Sequence, residues 1–382
     1  MTSSETNWLG VAGAVADETL ARHADDVDHR GRWPAEGVAA LAETGLLGLT
    51  LPRAPGGPGE GPRTFAAVTR ILAGRCASTA MIYLMHVCAA RVIAAAQTFP
   101  LREAVLRDVV AGRHLTTLAF SEKGSRSHFW APVSQATAAG DTHRLTAAKS
   151  FVTSAGHADS YIVSTRSAGA ADPMASTLYF VPRDAPGLGT GGSWNGLGLR
   201  GNASAPMRLD DVAVPASHRV SAEGEGFAVM LNEVLPWFQL GSAAVSVGIA
   251  RAATEGIRRH LLAAKLEHLG QSLAALPNLR ARLAQMQIAV DTQQAFLEHV
   301  AARMETPGPD TLLALLESKA AAAEAALHVT DLALRTGGGA CFGRHLTVER
   351  NFRDARAAWV MAPTTDVLYD FVGRTLLGMP LF

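Results

Sequence analysis

The sequence predicts an α+β chain in which a helical block, a β block and a second helical block follow one another. Three observations carry this. Apolar residues recur at helical spacing up to about residue 114, and they do so again from about residue 222. Between them lie short β-prone runs separated by Gly, Pro, Asp and Asn. An order of all-α, then β, then all-α admits few architectures. The expected divisions are 1–114 for an N-terminal all-α domain, 115–221 for a middle β domain and 222–382 for a C-terminal helical bundle.

In the first block, Val38, Leu41, Ala42 and Leu46 repeat at helical spacing, and the Pro- and Gly-rich stretch from Pro52 to Pro62 reads as a loop between helices. In the second, the strand signals are Leu115–Phe120, Ser160–Thr165, Thr177–Val181 and Met207–Leu209. In the third, long helices are expected over roughly Gly226–Leu269, Asn278–Met304 and Thr311–Arg335. Apolar stripes this wide suit a bundle that also buries a subunit interface.

Composition narrows the function classes. Lys+Arg and Asp+Glu are both 34 in 382 residues, so no net field draws the chain to nucleic acid or to a membrane surface. Cys76, Cys88 and Cys341 are scattered and odd in number, with no CxxC pair to hold zinc and no metal-ligand spacing elsewhere. A reducing cytoplasm fits that usage. Met1 to Trp8 is polar and acidic, unlike a secretory leader. The apolar stretch Gly241–Ala253 is broken by Ser242, Ser246 and Arg251, which suits a buried helix better than a membrane span.

Local segments then resemble one family in the expected order. Leu46-Leu47-Gly48-Leu49 with Pro52 and Gly56-Gly57, and Ala77-Ser78-Thr79-Ala80-Met81 with His86, are similar to helical segments of the acyl-CoA dehydrogenases. Ala119-Phe120-Ser121-Glu122, with Gly124 and Ser127, resembles that family's flavin-binding segment. Lys149-Ser150-Phe151-Val152-Thr153-Ser154 resembles its K-x-W-I-T motif, and Leu197-Gly198-Leu199-Arg200-Gly201 its L-G-x-R-G. Gly338-Gly339, Val348-Glu349-Arg350 and Arg353-Asp354-Ala355-Arg356 resemble the C-terminal motifs.

The resemblance spans essentially the whole chain. It implies a middle β-barrel or sandwich, a C-terminal four-helix bundle and an FAD cofactor that carries the redox chemistry. It further implies that Phe120 and Ser121 line the flavin ring, that Phe151 packs on it and that Thr153 reaches its edge, with Ser127 near the pyrophosphate. Gly338, Gly339, Thr364 and Asp366 fall at other cofactor positions. Two phosphate anchors depart from the pattern. The R-x-x-F-G stretch reads Leu266-Glu267-His268-Leu269-Gly270, and Arg335 replaces a glutamine. Arg335 can neutralise phosphate, or it can be a solvated helix end.

The larger departure concerns the base. Removing an α-proton from a thioester needs a carboxylate whose proton affinity burial can raise. Most relatives carry it within Y-E-G-T, where this chain reads Met361-Ala362-Pro363-Thr364. A minority place it on the long helix after the β block, at about Trp237 here, with Phe238 following. Glu233 lies four residues before Trp237, one turn away on the same face, and is the substitute base that helical geometry favours. Pro236 between them would kink that helix. Trp237, Phe238, Ala362 and His86 are expected to line the substrate pocket.

Three functions remain open from the sequence: a flavin-dependent oxidoreductase acting on an acyl thioester of coenzyme A or a carrier protein, a monooxygenase or other flavin chemistry on the same scaffold, and a catalytically silent binding protein. Arg126, Lys123 and Arg200 are the cations available to coenzyme A. The resemblance also implies a homo-oligomer, tetramer or dimer, and an electron-transfer or flavin reductase partner.

Overall fold

The structure is a computed structural model that describes residues 6–126, 128–172 and 174–382. Helices open the chain: α1 (Trp8–Ala14), a π turn (Val15–Leu20), α2 (Ala21–Arg30), α3 (Ala35–Glu43), α4 (Pro62–Ala73), α5 (Ala77–Ala95) and α6 (Arg102–Val110). By length and composition α5 could cross a membrane, but 83% of its apolar window is buried inside the protein. It is apolar all round because it is a core helix.

Among the described residues seven strands follow: β1 (Thr116–Ala119), β2 (Thr137–Ala139), β3 (Thr142–Val152), β4 (Ser160–Arg166), β5 (Ser176–Pro182), β6 (Leu188–Thr190) and β7 (Ala205–Pro215). They make two sheets, ordered β1-β4-β5 and β2-β3-β7-β6. β4 and β5 are buried on both faces, whereas β3 and β7 alternate, as a half-exposed sheet requires. The inward side chains of β3 are His143, Leu145, Ala147 and Lys149, so one of its core positions is a lysine.

The last block contains α7 (Gly226–Val229), a second π turn (Met230–Val234), α8 (Leu235–Ala263), a small hairpin of β8 (Lys265–Leu266) and β9 (Gln271–Ser272), then α9 (Pro277–Glu305), α10 (Thr311–Gly337), α11 (Gly339–Phe342), α12 (Thr347–Val360) and α13 (Thr365–Leu376). The single helix expected from Gly226 to Leu269 is therefore corrected at both ends. Pro236 has no N–H and its ring crowds the carbonyl four residues back. The chain relieves this by widening into a π turn closed by the Leu235 N–H on the Met230 carbonyl, with Pro236 in the first turn of α8. At the other end Gly270, at φ +60°, turns the β8–β9 hairpin.

Two sequence motifs prove to be the joint between blocks. Arg353 on α12 grips Asp28 on α2 through Nη1 at 2.8 Å and also pairs with Glu349 through Nε at 2.8 Å. Asp354 accepts the Leu199 N–H at 2.7 Å, and Arg200 donates to the Asp28 carbonyl at 2.8 Å. Burial pushes the Asp354 carboxyl up to about 6, against the pull of the Leu199 N–H and Arg350. Arg200, one of the cations proposed for coenzyme A, is thus engaged in holding three blocks together. Close approach matters as well: a Cβ on Gly248 of α8 would lie 2.5 Å from the Arg70 carbonyl of α4.

Candidate active site

The two β segments singled out in the sequence meet. The Ser150 N–H donates to the Ser121 carbonyl at 2.8 Å, and Glu122 faces Lys149 as an isolated bridge. Beneath them the Lys149 ammonium reaches Glu122 at 2.5 Å and also donates to the Ser164 carbonyl, both side chains being almost fully buried. Glu122 accepts the Val133 and Ser134 N–H groups at 2.7 and 2.8 Å. Burial works against its charge, but Lys149 and the Ser134 hydrogen bonds outweigh it and hold the carboxyl below the usual range.

A register shift in β3 between Lys149 and Val152 turns Phe151 outward. Phe151 adopts φ +54° and is 69% exposed, with Trp194 edge-on at 6.4 Å. An aromatic residue in the left-handed region with its ring in water is strained and unpacked at once, which is the pattern of a residue kept for a ligand. A flat ring system covering Phe151 would supply the missing packing. Phe120 is buried and stacks on Phe129 at 6.4 Å. The Thr153 hydroxyl is already shared with Ser204 at 3.0 Å. Ser127 lies outside the described residues.

The helical side of the site is built where α12 ends and α13 begins. Ala362 is half-buried, Thr364 precedes α13 as its cap residue and Asp366 is exposed in its first turn. The Thr365 hydroxyl is fully buried without a hydrogen-bond partner among the described residues. Trp130, in the loop after β1, lies 5.7 Å from Phe371 of α13 and 5.1 Å from Phe382, so aromatic contacts join the β side to the helical side. Lys319 on α10 is fully buried beneath Ala362.

At the start of α8, Glu233 pairs with Arg91 of α5 at 3.3 Å, and the Arg91 guanidinium lies 4.1 Å over the Trp237 ring. Trp237 packs edge-on against Phe65 at 5.2 Å. Burial lowers the Arg91 pKa despite the Glu233 charge, and its Nε has no partner among the described residues.

Other expected positions are engaged in packing or lie at the surface. His86 is fully buried. Its Nδ1 accepts the Thr116 N–H at 3.1 Å and its Nε2 lies 3.2 Å from the Leu47 carbonyl, so it ties α5 to β1 and to the Leu46–Gly48 turn. Trp237 and Phe238 are buried in the first turn of α8. Arg335 is a solvated helix end, ion-paired with Asp331 at 3.3 Å. Gly338 and Gly339 follow it, nineteen residues beyond Lys319 on nearly the same helix. At 1.5 Å per residue they stand about 28 Å from the Ala362 turn. Within one chain, then, Arg335, Gly338 and Gly339 do not share a site with Ala362. Sequence reasoning missed Lys319, whose signal was one lysine in an alanine-rich run, Ser318-Lys319-Ala320-Ala321.

With this geometry in place, comparison with known proteins is informative. Residues 2–113, 117–212 and 224–377 match the N-terminal, middle and C-terminal domain profiles of the acyl-CoA dehydrogenases. Cyclohex-1-ene-1-carbonyl-CoA dehydrogenase of Geobacter metallireducens is 27% identical over 99% of both chains. The 3-sulfinopropanoyl-CoA desulfinase of Paraburkholderia xenovorans is 29% identical over 100% of this chain and 98% of that one. Butyryl-CoA dehydrogenase from Megasphaera elsdenii has the same fold, with a TM-score of 0.91, 24% identity, and coverage of 99% of this chain and 100% of that one.

Proposed function

The chain belongs to the acyl-CoA dehydrogenase family, and on that premise we propose that it is an FAD-dependent oxidoreductase acting on an acyl thioester without a carboxylate at position 362. The observation that carries this reading is Phe151, strained and exposed beside the laced Ser121–Ser150 strands, which fits the face of a flavin. Phe120, Ser121, Phe151 and Thr153 would hold the ring, and Thr364 with the unpartnered Thr365 hydroxyl would meet its polar extension. When bound, the flavin supplies the two-electron acceptor. Arg335, Gly338 and Gly339 would serve the cofactor of a second copy, in keeping with a homo-oligomer. Exposed Phe342, Trp359, Leu376 and Leu377 give such an assembly apolar surface to bury. Sedimentation of the purified protein is expected to give a dimer or tetramer, and a monomer at all concentrations would refute that.

Glu233 is the proposed base for the α-proton, released from Arg91 when substrate arrives. A second reading has its own support. Ala362 cannot ionise, and a 29% identical relative is named a desulfinase, an enzyme that removes a leaving group. Anaerobic mixing with butyryl-CoA and with longer acyl-CoAs separates the two. The dehydrogenase reading expects the flavin to bleach, and Glu233→Gln to slow bleaching by roughly a hundredfold or more. Bleaching at an unchanged rate in Glu233→Gln would remove Glu233 as base. Tight thioester binding with no bleaching in the wild type would favour the elimination reading. The electron acceptor is expected to be an electron-transfer or flavin reductase partner, and the location cytoplasmic.

A further inference from the structure

Arg91 is a cation that makes fewer bonds than it can. It reaches from α5 to the start of α8, and only 26% of its side chain is exposed. Among the described residues its one hydrogen bond runs from Nη2 to Glu233 at 3.3 Å, and its Nε is buried with no partner. Glu233 therefore uses one of the two donors on the Nε–Nη2 edge, although that edge fits both oxygens of a carboxylate. Other arginines of this chain make the full fit. Arg353 meets Glu349 through Nε and Nη2 at 2.8 and 3.0 Å, and Arg258 meets Glu255 in the same way at 2.8 and 2.9 Å. The plane of the Arg91 fork is fixed by the Trp237 ring, 4.1 Å from the guanidinium carbon.

The charges point the same way. Burial lowers the Arg91 pKa, and Glu233 and Cys88 are the groups that oppose the shift. Burial pushes the Cys88 thiol up to about 12, so it is neutral at pH 7. Among the described residues Glu233 is then the one anion paired with Arg91. A carboxylate that accepts an α-proton loses its charge. Were Glu233 to do so unaided, Arg91 would be left as a largely buried cation without a counter-ion, a strongly unfavourable state. Proton transfer becomes accessible when a second anion holds Arg91 first. Among the described residues no other carboxylate pairs with it, so that anion has to arrive with the substrate.

We propose that Arg91 is a specificity-determining residue, which receives a carboxylate at the far end of the acyl group in place of Glu233. The substrate class is then the monothioester of a dicarboxylic acid. Arg91 and Glu233 are one hydrogen bond apart, so the distal carboxylate lies only a few bonds from the α-carbon, and the acyl chain is short. The inference rests on Glu233 as the proposed base and deepens that reading by naming what releases it. An acyl group with an uncharged end leaves Glu233 on Arg91.

Thioesters paired by chain length test this on the flavin-loaded enzyme: succinyl-, glutaryl- and adipoyl-CoA against butyryl-, pentanoyl- and hexanoyl-CoA, each read as a dissociation constant and an anaerobic bleaching rate. Hydrogen bonds to a charged group are worth roughly ten- to a hundredfold in binding, so the wild type is expected to bind one dicarboxylic thioester about tenfold or more tightly than its counterpart. Arg91→Met is expected to abolish that preference. A wild type that prefers no dicarboxylic thioester overturns the inference, and so does a preference that survives Arg91→Met. Should Arg91→Met fail to fold because Glu233 loses its cation, the double change Arg91→Met with Glu233→Gln removes both charges. It is read by binding alone, with the same two outcomes. Glu233→Gln by itself separates this inference from the reading beneath it. Unchanged bleaching with the preference retained removes Glu233 as base and leaves Arg91 as the selecting residue. Binding of no thioester in either series removes the thioester reading, and the role of Arg91 with it.

Discussion

Replacing Lys149 by methionine is expected to destabilise the protein by about 3–5 kcal/mol, measured as a drop in melting temperature or denaturation midpoint at pH 7. The side chains of Lys149 and Glu122 are 0% and 3% exposed, so solvent screens their pairing very little. Removing the cation leaves Glu122 buried with its charge uncompensated, still accepting from Val133, Ser134 and the Ser134 hydroxyl. The double change Lys149→Met with Glu122→Gln should recover most of the loss, since a neutral amide can keep the backbone hydrogen bonds. A single variant that melts like the wild type would show that the pair contributes nothing. The same substitution should reduce flavin content, because the pair sits directly under the lacing of Ser121 to Ser150 that aligns Phe120 and Phe151.

Acid is expected to remove about 3 kcal/mol of stability through His86 alone as pH falls from about 6.5 to about 4. Burial holds the ring pKa down at about 4 in the folded protein, against about 6.5 when unfolded; His114 adds to the depression, and the Leu47 carbonyl contact opposes it. Between those two values the unfolded chain binds a proton that the folded chain refuses, so unfolding becomes easier as pH drops. The contribution is fully present above the unfolded value and fully lost below the folded one. A cation at His86 would also repel the Thr116 N–H that now donates to Nδ1. Many carboxylates titrate in the same range, so the quantity to compare is the pH slope. Unfolding of His86→Gln at pH 7, 5.5 and 4.5 should be less stable at neutral pH but flatter toward acid. An identical slope in both proteins would show that His86 titrates normally.

Both predictions concern residues whose roles were hard to read in the sequence, for different reasons. His86 lies within the apolar helix α5, and only resemblance places it at the substrate pocket. Only the tertiary structure shows that its two nitrogens are used between α5, β1 and the Leu46–Gly48 turn. Lys149 was recognised as part of a motif, but not as a core side chain, because a lysine at an inward strand position reads as exposed until its partner is known. Glu122 is twenty-seven residues away in the chain. Lys319 hid for the same reason: its acceptors are main-chain atoms 39 to 44 residues further on.

The sequence by itself determined the block order, the long helices α9 and α10 to within two residues at each end, the strands that contain β-branched runs, and the family. Those are properties of periodicity and of short ordered motifs, which survive in one dimension. It also reads Ala362 where the family resemblance implies a glutamate. What only the tertiary structure decided is where polar groups find partners. The π turn before Pro236 joins Glu233 and Trp237 to Arg91, and the end of α10 carries Arg335 about 24 Å away from Ala362. Hydrogen bonds and ion pairs depend on distances of about 3 Å between atoms distant in sequence, and no local pattern encodes those distances.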